Sequence, residues 1–465
     1  MQPADFGLLN PAWAATPAAT TASDAAFAQA MLDVEAAWAR VQAKAGLCTA
    51  EDAAAITAVA RVELYDLAAL AERGPDGANA LIPLLGMMRK QLAAEGAPAG
   101  ASATLHRGAT SQDIIDSALQ LMAARTRTIV LADVRRAGTG LARLATEHAM
   151  TPAVARSLTQ HALPTTFGLR AANWLSALTA SARNLEQVSL PLQWGGAVGT
   201  LASLKQKLGE LDPEATGAEL DDKIHALTAE LAVELGLTAP LAPWHTNRTP
   251  VVELGSTLAA LVAALGSMGA DVLTASRPEI AEVSEPREEG KGGSSAMPQK
   301  QNPVLSVLLR NAALTAPAHV SSLFLAAGTA VDERPDGGWH TEWAALRELL
   351  RLAGGAAAHA ATLIEGLQVH PDALARNMAL SGDLLVSERV STVLAPLLGK
   401  DRVQSLVRSS LGTCETLRAL LRVALPVEDF SDAQLASLLD PLEYLGATGS
   451  IINRICADFS AWKES

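Results

Sequence analysis

The chain has 465 residues, of which 49% are apolar but only 3% aromatic, and a formal charge of −13. Alanine and leucine dominate, which favours closely packed helices over a sheet-rich core that would want more valine, isoleucine and aromatic side chains. The acidic balance and the lack of any lysine/arginine cluster argue against a nucleic-acid surface. An acidic body that binds an anion needs a locally positive pocket, so individual basic residues become informative.

The opening "MQPADFGLLN" has no basic segment leading into an apolar run, which excludes a signal peptide and predicts a cytoplasmic protein. "SDAAFAQAMLDVEAAWARVQAKAGL" then reads as a helix with Ser23 or Asp24 at its N-cap, followed by "EDAAAITAVARV". This first region, residues 1–107, ends in the breaker-rich "AAEGAPAGASATLHRG". Residues 108–365 read as long helices over 111–149, 165–190, 250–277, 302–327 and 339–365, longer than ordinary globular helices. The 250–277 helix is apolar on more than one face. It is too short in its apolar run, and too rich in alanine and glycine, for a membrane span, so it predicts burial in an oligomeric bundle. Residues 366–465 return to short helices and turns. No strand pattern of convincing length appears, so the fold class is all-α. Cys48, Cys414 and Cys456 have no metal-type spacing and read as reduced thiols.

Five polar stretches interrupt this pattern. In "HRGATSQDIIDSALQL" the Thr110-x-x-Asp113 spacing is a helix-capping sequence, and His106, Arg107, Thr110 and Ser111 beside exposed amides could equally receive a carboxylate. In "RSLTQHALPTTFGLR", Gln160 and His161 precede a predicted helix start at Pro164. His161 there is either a partner of a backbone carbonyl or a catalyst. "APWHTNRTPVVELG" places His245 and Arg248 before the most apolar helix, as a solvated turn or an anion site. "EEGKGGSSAMPQKQNPVLS" (288–306) carries three glycines, Ser294, Met297 and Lys300, with Asn302-Pro303 as N-cap and first residue of a helix. A lysine near that positive helix end is unfavourable unless an anion joins it. "DERPDGGWHTEW" (332–343) brackets His340 and Glu342 with tryptophans and ranks as a secondary site.

"GSSAMPQKQNP" (293–303) resembles the signature loop of the fumarase/aspartase superfamily, and "HRGATSQD" and "TQHALPTTFG" resemble its two other motifs in the expected order. The resemblance spans nearly the whole chain. It implies a three-domain fold divided at 1–107, 108–365 and 366–465, with a signature loop at 284–303. It further implies a five-helix central bundle forming a twenty-helix homotetramer core, active sites shared between subunits, and no metal or organic cofactor. Ser294 then matches the general base, Lys300 and Asn302 the substrate-binding pair, and Thr110 and Ser111 the substrate-binding hydroxyls. His161 is the alternative for proton transfer, and His106, Arg107, Gln160, His245, Arg248 and Met297 complete the expected substrate contacts. The lyases commonly carry a Thr-His pair where this sequence has Ser157 and Leu158. That departure, with "SGDLLVSERV" (381–390), is similar to the lactonising branch, the bacterial 3-carboxy-cis,cis-muconate cycloisomerases, acting on a small tricarboxylate. β-Elimination releasing fumarate, as by adenylosuccinate lyase, is the alternative.

Overall fold

The computed structural model describes residues 6–287, 290, 292–293, 297, 299–411 and 415–464. Helices dominate, and the five long ones expected between 108 and 365 are Ser111–Glu147, Phe167–Gln187, Thr249–Ala275, Val304–Gly328 and Gly337–Gly366. Each lies within a few residues of its predicted span. The mostly helical class is as the composition suggests, with one correction. Pro152–Ser157 (β1) and Gln160–Thr166 (β2) form an antiparallel hairpin. Pro164 therefore sits in a strand paired with Val154, not in a first helical turn, and the next helix begins at Phe167. The β-branched Thr165 and Thr166 suit an extended chain better than the helix start read from Pro164.

Two compact units divide the chain. One comprises 1–133, 181–266 and 308–359, the other 134–180, 267–307 and 360–465. In the first unit, Ser23 caps Asp24–Lys44 through Ala26 N–H (3.1 Å), as the sequence predicts. Thr49 and Asp52 close a reciprocal capping box on the next helix. Small residues let the long helices approach closely. A Cβ on Gly266 would lie 2.1 Å from that of Ala313, so this crossing tolerates no larger side chain. The Thr249–Ala275 helix is long and apolar enough to cross a membrane by length and composition, and half of its most apolar window is buried within the protein.

In the second unit a separate apolar cluster joins Val386, Val390, Leu394, Leu417, Leu421 and Leu435. At about 1.5–3 kcal/mol for each fully buried side chain, this cluster holds the short C-terminal helices together. Glu282, fully buried, ties three segments of the same unit: it accepts from Arg156 (2.6 Å), Arg170 (3.0 Å) and Asn377 (3.0 Å). Burial works to push its carboxyl up. The hydrogen bonds from Arg156 and Asn377 and the charge of Arg170 outweigh that and hold it below the usual carboxylate value.

Candidate active site

In the first unit the polar groups gather at the start of the Ser111–Glu147 helix. Asp113 is the hub. Its Oδ2 accepts from the backbone N–H of Thr110 (3.0 Å) and Gly196 (2.9 Å). Its Oδ1 accepts from Gly195 N–H (2.9 Å) and Gln193 Nε2 (3.0 Å), and lies 3.0 Å from His245 Nε2. The capping sequence thus does its structural work, but from a wholly buried carboxylate that also fixes a loop and an imidazole.

Above this hub, His106 adopts a left-handed φ of +63°. Its backbone N–H and Nδ1 meet the two oxygens of buried Glu35 at 3.0 and 2.7 Å. When neutral, the ring donates its Nδ1–H to Glu35 and presents Nε2 as an acceptor; only the doubly protonated ring can also donate from Nε2 to a second carboxylate. Thr110 Oγ1 accepts from Arg334 Nη1 at 2.9 Å. Arg334 lies in the "DERPDGGWHTEW" stretch and was not anticipated as part of this site. Its charge against a helix start was the available signal. Ser111 is the first residue of the helix.

Three expected substrate contacts are engaged elsewhere. Arg248 has a fully buried side chain, with Asp116 on Nη1 and Nη2 (2.7 and 3.0 Å) and Glu342 on Nη2 and Nε (2.6 and 3.0 Å). Burial opposes its charge, but Asp116 and Glu342 prevail and hold the guanidinium above its ordinary value. Burial pushes Glu342 upward more than Arg248 draws it down. The guanidinium is therefore a structural cross-link rather than a ligand arm. Arg107 spends its guanidinium on the carbonyls of Leu47 and Ala103 and on Thr104 Oγ1. His245 is 4% exposed and held on Asp113, so it braces the hub. Sequence spacing near a helix start cannot distinguish a cation facing a pocket from one facing an acid of another segment.

In the second unit, the β1–β2 turn places Leu158 (φ +49°) and Thr159 (φ +71°) in the left-handed region. This is the geometry of a two-residue hairpin turn that normally takes Asn-Gly. Leu158 is 95% exposed at its tip. His161, on β2, has Nδ1 2.8 Å from Ser381 Oγ. With Gln160 and Thr159, both residues line a cavity of about 570 Å³.

The signature loop is closed at its base: Asn302 N–H donates to Gly292 O (2.8 Å), and Gly293 pairs with Gln301. A Cβ on Gly292 (φ +67°) would lie 2.7 Å from Asn302 O, so glycine is required there. Lys300 is exposed, with its N–H on Met297 O (2.9 Å), and Met297 is 43% exposed. Ser294 lies outside the described residues. Asn302 does not cap the following helix as expected. Glu285 does, accepting from Leu305 N–H (3.0 Å), Ser306 N–H (2.7 Å) and Ser306 Oγ (2.6 Å). A buried carboxylate some twenty residues upstream thus supplies the anion at this positive helix end.

The sequence profile of a lyase family matches residues 13–317. A nitrosuccinate lyase of Streptomyces davaonensis is 43% identical over 97% of this chain and 94% of its own. A 3-carboxy-cis,cis-muconate cycloisomerase of Pseudomonas aeruginosa is 40% identical over 96% of this chain and 95% of its own. The crystal structure of the 3-carboxy-cis,cis-muconate lactonizing enzyme from Pseudomonas putida superposes with a TM-score of 0.87 at 34% identity, covering 98% of this chain and 99% of that one.

Proposed function

We propose, given that this chain belongs to the fumarase/aspartase superfamily of lyases, that this enzyme is a 3-carboxy-cis,cis-muconate cycloisomerase. One carboxylate of a tricarboxylate substrate adds to an alkene carbon of the same molecule and closes a γ-lactone. The neighbouring carbon carries the negative charge as an enolate of its carboxylate and then takes one proton. The protein must hold nucleophile against alkene, stabilise the enolate and deliver that proton. Lys300 and Asn302 supply positive charge and a hydrogen bond to the enolate. Thr110 with its Arg334 partner, Ser111 and the helix amides hold a second carboxylate, and His106 in its doubly protonated form holds the third. Gln160 and Met297 flank the substrate. Ser294 exchanges the proton, with His161 as the alternative. If Ser381 donates its hydroxyl proton to Nδ1, His161 Nε2 carries the transferable proton.

The observation that carries the lactonising reading is the hairpin tip. Where the lyases of the superfamily usually carry a histidine, Leu158 is apolar, exposed and without a proton to exchange. Elimination of a basic leaving group such as an amine needs both a base and an acid; a lactonisation supplies its nucleophile from the substrate and needs a single proton transfer, and expulsion of nitrite, a weak base, likewise needs no acid. A second reading, elimination of nitrite from nitrosuccinate to leave fumarate, is favoured by the 43% identical relative. Incubation with each compound separates them. The first reading expects loss of conjugated-diene absorbance and the second expects nitrite. Replacing Ser294 by Ala should lower turnover at least ~100-fold, and near-normal turnover would remove it from the chemistry.

Assembly as a homotetramer with shared sites belongs to the same proposal. Val307, Leu314, Phe324 and Leu325 on the Val304–Gly328 helix are at least half exposed, an apolar face that subunit packing would cover. Sedimentation equilibrium giving a monomer would refute it.

A further inference from the structure

Three side chains of the Asp24–Lys44 helix reach the turn that carries His106. Gln42 Nε2 donates to Thr104 O at 3.2 Å, and Trp38 Nε1 donates to Arg107 O at 2.8 Å. The Trp38 ring lies 4.7 Å from that of Trp194, which sits between two residues held by Asp113. Glu35 is the third. Its spacing from Trp38 and Gln42 puts all of them on one stripe of the helix. Glu35 differs from the other two because it meets a side chain as well as the backbone.

The Glu35 side chain has no exposed surface, whereas that of His106 is 18% exposed. Among the described residues, both partners of the Glu35 carboxylate belong to His106: its backbone N–H at 3.0 Å and its Nδ1 at 2.7 Å. A buried carboxylate is tolerated where donors face it, and here one residue supplies them. His106 does so from its left-handed φ, a strain that glycine would escape. Holding the turn needs the backbone contact alone. The second oxygen instead fixes the ring, committing Nδ1 as the protonated nitrogen and leaving Nε2, across the ring, outside the pair. When both nitrogens carry protons, the carboxylate behind the ring offsets the added charge.

We propose that Glu35 is a positioning residue for substrate binding. It orients His106, sets its neutral tautomer, and supplies the counter-charge while the doubly protonated ring holds a substrate carboxylate through Nε2. This rests on the carboxylate-binding role given to His106 above. E35Q keeps the volume. Its carbonyl oxygen accepts the backbone N–H and its amide then faces Nδ1, so the neutral ring carries its proton on Nε2. Diethyl pyrocarbonate acylates an unprotonated ring nitrogen, and mass spectrometry of the His106 peptide reads that rate in the intact enzyme without substrate. Extrapolated to the neutral ring, the rate should fall about fivefold in E35Q. W38F removes the bond to Arg107 O but not the ring's partner, so its rate should match the parent. With whichever of the two compounds above the parent turns over, E35Q should raise KM about tenfold and change kcat less than ~2-fold. E35D, which draws the carboxylate back by one methylene, should move both readouts in the same direction and serves where E35Q does not fold. An acylation rate in E35Q within ~2-fold of the parent, an equal fall in W38F, or an unchanged KM would overturn the proposal. A parent inactive on 3-carboxy-cis,cis-muconate counts against the cycloisomerase reading alone, since the acylation rates still decide the role of Glu35.

Discussion

Asp113→Asn changes one atom of the hub and no volume, so its cost isolates hydrogen-bond polarity. Five donors face the two carboxylate oxygens at 2.9–3.0 Å. With the amide nitrogen at the Oδ2 position, it opposes two backbone N–H groups, of Thr110 and Gly196, that cannot reverse polarity. At the Oδ1 position it opposes Gly195 N–H and Gln193. His245 can change tautomer to accept, but Gln193 cannot flip freely, because its Oε1 already accepts from Trp244 N–H at 2.7 Å. Either orientation leaves two buried donors unsatisfied. At about 1–3 kcal/mol for each, the substitution should destabilise the protein by about 4 kcal/mol. Urea unfolding followed by circular dichroism, with Asp113→Asn against the parent, measures it. A loss under about 1 kcal/mol would show that water or a rearranged loop satisfies these donors, and the hub would not be the rigid platform described.

Glu282→Gln should cost about 3 kcal/mol near neutrality, by leaving Arg156 and Arg170 without their buried carboxylate. Because the folded pKa of Glu282 is lowered from 4.5, its contribution is complete above that value and is lost as pH falls through the lower folded one. The parent should therefore lose stability below about pH 4.5 more steeply than Glu282→Gln, and parallel curves from pH 7 to 3 would refute it. Glu285→Gln should weaken the start of the Val304–Gly328 helix by about 1–2 kcal/mol, seen as faster amide exchange at Leu305 and Ser306; unchanged exchange would contradict it. Replacing Leu158-Thr159 by Asn-Gly removes two unfavourable left-handed residues and should raise stability by about 2 kcal/mol in thermal unfolding; a lower melting temperature would mean that the tip's side chains are held by contacts. Ser381→Ala should lower kcat with little change in KM if it orients His161, whereas an equal change in both, or none, would count against that positioning role.

The helices were legible because their apolar periodicity runs for many turns and because Ser23, and Asp113 reaching back to Thr110 N–H, mark helix starts. The hairpin was not, because "RSLTQHALPTT" is short, carries a proline and turns through Leu-Thr, residues that give no turn signal. The residue types of the site were legible as polar helix starts, yet their partners were not. Arg248 meets Asp116 and Glu342, His106 meets Glu35, and Glu285 reaches a helix start beyond the loop. Each pairing joins segments far apart in sequence, and local spacing carries no information about them. For that reason spacing drew attention to Thr110, Lys300, Arg107 and Arg248 without showing what each meets, and it misplaced the capping role of Asn302.

The most direct test is to add purified protein to 3-carboxy-cis,cis-muconate and follow the diene absorbance while identifying the product. The account predicts loss of absorbance with formation of a γ-lactone that keeps all three carboxyl-derived groups. An unchanged spectrum, together with nitrite release from nitrosuccinate by the same preparation, would contradict it.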